Sequence, residues 1–438
     1  MNSRGLVAAA LILIGLAGGL YWSNHHQPAS KETTSATPPE PEPTILALNK
    51  DDLTRIEIKK KGADPVVISK ENGSWQITAP QRLAVDQAAI SALTTAASSV
   101  TAQRVVEEKA ADLGQYGLKT PELEVDLTLK DNSVHKLTFG DETPTGNAVY
   151  VRLDSDQRVV TLASFTKNSL SKSLSDVRDK RLVTLEADKL TGLELKTKAQ
   201  DLQFSREKDQ WQITKPASVR ADGAEVDTLV RKVVDARLDA SSTDDPTKNE
   251  ADFATGTLIA SVSATAPSGT QTLEVRKVKD DYFAKSSVVS GVFKVPSDLG
   301  TGLDKKLDDF RSKKLFDLVS QEPEKIEIHD GGKSYVLTKN GSDWQSADGK
   351  KWEAASVTAL IDKLRNLSAT KFADSGFSTS VMDITVTSAD GKRTEKILVS
   401  KGSSGYLAKR ENESALYVLE SSSIEDIQKA AGDLKQAG

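Results

Sequence analysis

One short motif, met three times at a near-constant interval, constrains this chain more than any other feature. Gly73-Ser74-Trp75-Gln76-Ile77-Thr78-Ala79-Pro80 returns as Asp209-Gln210-Trp211-Gln212-Ile213-Thr214-Lys215-Pro216. A weaker third copy is Ser342-Asp343-Trp344-Gln345-Ser346. The tryptophans stand 136 and 133 residues apart. A second marker, Arg178-Asp179-Lys180-Arg181-Leu182, matches Arg311-Ser312-Lys313-Lys314-Leu315, again 133 residues on. Two unrelated markers at one period identify a tandem array in which each repeat is one folding unit. The 438 residues then divide into modules at 46–185, 186–318 and 319–438. The third is expected to be truncated, because no Arg-x-Lys marker closes it.

The elements around each marker recur as well. Before each tryptophan lie two strand-like runs joined by a polar turn, which is a hairpin signal. They are residues 55–58 and 66–68, then 192–195 and 202–204, then 325–328 and 335–337. The Trp strand completes a three-stranded meander. A helix with core-facing spacing follows. Its apolar face is Val357, Leu360, Ile361, Leu364 and Leu367 in the third copy, and Val226, Leu229, Val230 and Val233 in the second. The first copy offers the alanine-rich set Val85, Ala88, Ala89, Leu93, Ala96 and Val100. Asp86 and Asp222 stand at the helix starts, where a carboxylate caps free N–H groups. Further alternating runs and a closing polar helix complete each copy. The expected fold class is α+β: tandem modules of antiparallel sheet, each with one or two packed helices.

The N-terminus is different in kind. Residues 6–22, LVAAALILIGLAGGLYW, carry no charge. As a helix they extend about 25 Å, enough for a thin bilayer. Arg4 precedes them and no Lys or Arg follows until Lys31. The expectation is a transmembrane anchor at 6–22, with residues 1–5 cytoplasmic and the bulk of the chain outside the membrane. A cleaved signal ending near Ala17-Gly18-Gly19 is the alternative. Residues 23–45 hold five of the fourteen prolines and form a linker too polar to pack a core.

The order of strand, strand, Trp-x-Ile-x-x-Pro, helix, Tyr-Gly-Leu-x-x-Pro, strands and Arg-x-Lys resembles the bacterial domain-of-unknown-function 4340 family. The residues that carry the resemblance are Trp75, Ile77, Pro80, Tyr116, Gly117, Leu118, Pro121, Gly140, Tyr150, Val151, Arg178 and Lys180. The second copy keeps Trp211, Pro216, Arg311 and Lys313, but offers only Asp252-Phe253-Ala254-Thr255-Gly256 in place of the Tyr-Gly-Leu turn. The third keeps Trp344 and departs further. The resemblance is best over residues 51–185. It implies an exported, membrane-anchored protein, whose relatives resemble accessory components of ABC-type transporters. It implies no catalytic residue.

Composition and motifs exclude much chemistry. There is no cysteine, hence no disulfide, thiolate metal site or Fe–S cluster. Fifty-eight basic against 63 acidic residues, a net charge of −5, argue against a nucleic-acid protein. The four histidines fall at no metal-ligand spacing; His25 and His26 are adjacent in the linker. Gly331-Gly332-Lys333-Ser334 lacks the earlier glycine of a phosphate loop. Ser169-Leu170-Ser171-Lys172 lacks the partner motifs of penicillin-recognising enzymes. The tryptophans are read as core residues rather than sugar-stacking platforms. The Arg-x-Lys markers are read as joints between modules rather than phosphate sites. The expected function is a non-enzymatic periplasmic accessory or scaffold protein of the bacterial inner membrane. Its expected partners are the membrane and proteins of an ABC-type transporter or similar envelope complex; no cofactor, metal or nucleic acid is expected. A periplasmic binding module for polysaccharide, peptidoglycan or lipid is the alternative, and a hydrolase is the remote one.

Overall fold

The structure, a computed structural model, describes residues 43–239, 246–318, 322–402 and 405–437. The expected cytoplasmic end, the segment 6–22 and most of the linker lie outside the described residues. Among the described residues no helix is long and apolar enough to cross a membrane. The described chain is built mostly of antiparallel sheet with a few helices, an α+β arrangement.

The chain divides into two compact units, one ending at Asp179 and the next beginning at Lys180. The first unit holds a nine-stranded sheet and a separate two-stranded one; the second unit holds two eight-stranded sheets. The three large sheets share a core of seven strands in one order and differ in the short strands at their edges. In the second the order runs Val219–Arg220, Gln210–Lys215, Asp201–Glu207, Gly192–Lys196, Thr257–Ala266, Gly269–Val278, Asp281–Ser286, Val292–Val295. Two meanders are therefore joined through the first strand of each. The chain between them forms a helix: Gln87–Ser98, Gly223–Val234 and Ala354–Asn366 in the three copies.

Each sheet packs its own apolar cluster, and the period-two alternation decides which side chains enter it. Leu193 and Leu195 point in while Glu194 points out. Helix faces follow the same logic. Gly223–Val234 buries Val226, Leu229, Val230 and Val233, as the spacing predicts. Gln87–Ser98 instead buries Ile90, Leu93, Thr94 and Ala97. Ala88 is exposed, and Val85 and Val100 are buried outside the helix. An alanine-rich stretch has no preferred apolar face of its own, so the larger Ile90 and Leu93 set the rotation. The third helix buries Val357, Leu360 and Leu364.

Both aspartates cap. Asp86 Oδ1 accepts from the N–H groups of Ala88 at 2.9 Å and Ala89 at 3.0 Å. Asp222 Oδ1 accepts from Ala224 at 3.1 Å and Glu225 at 3.3 Å. Replacing Asp222 by Ala is expected to lower stability by about 1 kcal/mol in urea denaturation. Glu353, at the same place in the third helix, makes no side-chain cap, so Glu353→Ala should change little.

Module limits differ from those expected. Leu182, Val183 and Leu185 pack into the second cluster, and Leu315, Phe316 and Leu318 into the third. The boundaries at 185 and 318 therefore move upstream, to the Arg-x-Lys markers themselves. The linker also ends sooner than residue 45, because Thr44–Ala47 is already a strand. Asn249 lies on the helix Pro246–Thr255, and its Nδ2 donates to the Val292 carbonyl at 3.1 Å. The third sheet has as many strands as the second.

Candidate functional site

The repeated tryptophans enter three different cores. Trp211 is 5% exposed and its Nε1–H donates to Asp227 Oδ1 at 2.9 Å, with Arg206 lying 5.7 Å over the ring. Trp344 is 8% exposed. Trp75 is half-buried against the first cluster, with Lys70 Nζ 6.0 Å from its ring. Three indoles in three separate clusters form no common stacking platform. The peptide bonds before Pro80 and Pro216 are both cis.

The Tyr-Gly-Leu turn seats one residue group on the first sheet. Leu113–Tyr116 is a short 3-10 turn ended by Gly117, whose φ of 70° is left-handed and suits glycine. The turn lies so close to the sheet that a Cβ on Gly140 would fall 2.0 Å from the Tyr116 carbonyl oxygen. A Cβ on Gly117 would fall 2.4 Å from Asp141 Oδ1. Tyr116 stacks on Tyr150 at 5.0 Å and its hydroxyl donates to Glu107 Oε2 at 2.7 Å. That hydrogen bond raises the Tyr116 phenol above its ordinary value. Leu118 is buried and Pro121 half-buried. In the second module Phe253 takes the corresponding place, packed with Phe283 and Val292 and covered by Arg276 at 4.8 Å. The sequence sets residues 252–256 against the Tyr-Gly-Leu turn but gives Phe253 no role; the packing supplies it.

The Arg-x-Lys markers form backbone bridges. Arg178 and Arg311 cap the short helices Leu174–Val177 and Leu307–Phe310. Arg178, 3% exposed, bridges to Val85, just before the first module's long helix, and Arg311 bridges to Ala221 in the same way. Each marker thus ties its module's end to the start of that module's helix. Its next residues serve the following module. Leu182 N–H bonds the Ala236 carbonyl, and Leu238 N–H bonds that of Lys180. Leu315 N–H bonds Leu367, and Ala369 N–H bonds Lys313. Lys180 and Lys313 therefore belong to a strand-like segment at the far end of the next helix.

Two further segments complete the scheme. Thr44–Ala47 pairs with Ser99–Thr101, giving the first module an incoming segment like those of the other two. Gln436 bridges to Trp352, with Glu353 N–H bonded to the Lys435 carbonyl. Residues 435–437 thus stand where the other modules carry Arg-x-Lys, and the third module has its closing clasp after all. A backbone bridge needs no particular side chain, so the marker's absence there did not mean truncation.

The joint between the second and third modules is ionic. Arg220 Nε pairs with Glu413 Oε1 at 2.8 Å, and Arg410 Nε meets the same oxygen at 2.8 Å. Tyr417 O–H donates to Glu413 Oε2 at 2.5 Å. Arg410 also pairs with Glu395 at 2.8 Å and bonds the Leu315 carbonyl, while Arg220 bonds the Lys314 carbonyl at 2.5 Å. Arg311 lies 3.6 Å over Phe372. Burial pushes the Glu413 carboxyl up, but the Tyr417 hydrogen bond and the Arg220 and Arg410 charges outweigh it and hold it below its ordinary value. Burial and the Glu413 contact raise the Tyr417 phenol. In the second module the matching incoming segment bonds Ser286, whose Oγ donates to the Leu182 carbonyl at 2.5 Å, and Gln271, whose Oε1 accepts from Thr184 N–H at 2.8 Å.

Catalytic constellations are weak. Ser334 Oγ lies 3.1 Å from His329 Nδ1, and the strand register puts Asp383 on the other side of His329. Asp383, however, bonds Ser380, and none of the three lines either cleft described below. Gly331 and Gly332 form a hairpin turn rather than opening a helix. Among the described residues no group of three or more His, Asp or Glu is placed to hold a metal ion. The two clefts of note lie in the second unit, one of about 440 Å³ beside Arg231, Lys232 and Asp298, the other of about 420 Å³ in the third module.

The fold and these joints define a tandem α+β array stitched by backbone clasps. The chain belongs to the family described as a domain of unknown function, DUF4340, whose model matches residues 75–255 and again 211–380. The two matches begin on Trp75 and Trp211, so the family repeat starts at the Trp strand and runs into the following module. No curated protein and no solved structure matches the chain.

Proposed function

We propose that the protein is a non-enzymatic, membrane-anchored scaffold of the bacterial cell envelope, an accessory of an ABC-type transporter or similar complex, with its modules in the periplasm. The observation that carries this is the order of parts. An uncharged run at 6–22 and a proline-rich linker precede repeats of which the second and third are joined by a partly buried ionic network. Residues invested in joints rather than in a convergent polar cleft suit a spacer or docking array. The family resemblance supports the transporter association. The alternative of a polysaccharide-binding groove drew on the tryptophans, of which Trp211 and Trp344 are buried and Trp75 half-buried, each against its own cluster.

Affinity purification of the full chain from detergent-solubilised membranes is expected to recover transporter permease and ATPase subunits; recovery of neither overturns the partner assignment. Topology is tested separately. The chain has no cysteine, so Thr95→Cys, on an exposed helix position, gives a single thiol. It should react with a membrane-impermeant maleimide in cells with permeabilised outer membranes. Labelling only after lysis places the modules in the cytoplasm and refutes the proposal. N-terminal sequencing beginning at Leu20 replaces the anchor by a cleaved signal.

A further inference from the structure

Among the described residues every arginine side chain has a partner except three, Arg104, Arg231 and Arg237. Arg104 stands alone on a strand of the first module. The other two line one cleft, the space of about 440 Å³ in the second module. Known small-molecule sites span about 300–1,000 Å³. A guanidinium keeps its charge at any pH a folded protein meets, and holds its donors in a fixed fork that matches phosphate and carboxylate oxygens. Two of them unpaired on one cleft leave two positive charges unanswered.

The other modules show that the fold does not require these arginines. The buried helix faces align Val226, Leu229 and Val233 with Val357, Leu360 and Leu364, and with Ile90, Leu93 and Ala97. Arg231 thus stands where the third module has Asp362, paired with Arg365, and the first has Thr95. Arg237 bridges to Arg181 as Ser368 bridges to Lys314 and Thr101 to Thr44. Complementing the carbonyl end of the helix does not explain the pair either, because Lys232 already stands in that last turn and Arg237 lies beyond it. What the second and third modules share is the neighbouring ion pair, Lys232 with Asp298 at 2.8 Å and Lys363 with Asp426 at 2.7 Å. Asp298 is thereby taken. Asp235, the other carboxylate on the cleft, has no ion pair among the described residues. Pro296 and Leu299 add an apolar side.

We propose that this cleft binds a phosphate monoester, with the dianion held by Arg231 and Arg237 and the organic part against Pro296 and Leu299. A carboxylate answers one charge; a phosphate monoester carries close to two and accepts from both forks. A soluble phosphate ester and a lipid phosphate headgroup share that chemistry. The proposal goes beyond the scaffold reading and does not depend on it. Saturation-transfer difference NMR on the full chain in micelles tests it, with glycerol 3-phosphate, D-glycerate and glycerol as separate millimolar probes. Transfer to glycerol 3-phosphate should exceed that to glycerate, and glycerol should show none. Arg231→Ala and Arg237→Ala are each expected to weaken binding about tenfold, and Arg104→Ala to leave it unchanged. Repeating the measurement in phosphatidylcholine nanodiscs names the source. Added phosphatidate that displaces the probe, where equal phosphatidylglycerol does not, marks a lipid phosphate; displacement by neither marks a soluble one. No transfer to glycerol 3-phosphate, equal transfer to glycerate or glycerol, displacement by both lipids alike, or unchanged transfer in an Arg231→Glu/Arg237→Glu variant with native thermal midpoint overturns the proposal. So does binding that appears only in an Asp244→Asn/Asp245→Asn variant, because the arginines would then answer those carboxylates.

Discussion

Gly140→Ala is expected to destabilise the first unit by about 3 kcal/mol, among the larger effects that adding one methyl group produces. The added Cβ would meet the Tyr116 carbonyl at 2.0 Å. Neither side yields easily. Gly140 sits within the strand Val134–Glu142, next to the paired Phe139 and at a register shift against Ala148–Leu153, and Tyr116 ends a turn whose ring is held by Tyr150 and Glu107. Relief requires the turn to lift from the sheet, which uncovers Leu118 and breaks the Tyr116–Glu107 bond. Hydrogen exchange read by peptide should show protection lost over residues 113–153 and retained over 192–295. A loss below about 1 kcal/mol would mean the turn relaxes at little cost and that its close approach is incidental.

Glu413→Ala is expected to cost the second unit about 3 kcal/mol, the lower end for breaking a buried ion pair, because Arg220 keeps 26% of its side-chain surface exposed. Two guanidiniums and a phenol lose their shared acceptor at once. The pH dependence follows from the same contacts. Glu413 is held below its ordinary 4.5, so its contribution is complete above that value and is lost as pH falls through the depressed folded value. Tyr417 is raised above 10.0, so its contribution is complete below that value and fades only in stronger alkali. Urea denaturation from neutral to acid pH should show wild type approaching the Glu413→Ala curve as acid is added. Parallel curves at all pH values would mean the carboxylate does not carry the joint.

The repeat was legible because a tryptophan in a fixed strand context is rare and large. The second helix was legible because branched aliphatics mark its buried face, and the third nearly so, with Ile361 half-buried and Leu367 just past its end. What stayed hidden has physical causes. The incoming strand at Thr44–Ala47 is four residues long and pairs on one side only, too short for alternation to register. The closing clasp at residues 435–437 uses backbone groups, which any sequence supplies. Phe253 fills its seat from a helix, whereas Tyr116 does so from a turn, so the matching position in sequence did not reveal the shared packing role. Arg220 and Glu413 are 193 residues apart, and nothing local foretells their meeting.

The clasps carry one more consequence, for how the chain is made. Every module takes its incoming segment from residues just upstream of its first strand, and its closing bridge from residues at its own downstream end. All its parts lie in one uninterrupted stretch, in the order a ribosome or a translocation channel delivers them. A module emerging from such an exit can close its core as soon as its clasp appears, without waiting for anything synthesised later. The same clasp delivers the opening segment of the next module already tethered, so vectorial synthesis adds modules one at a time to a finished end.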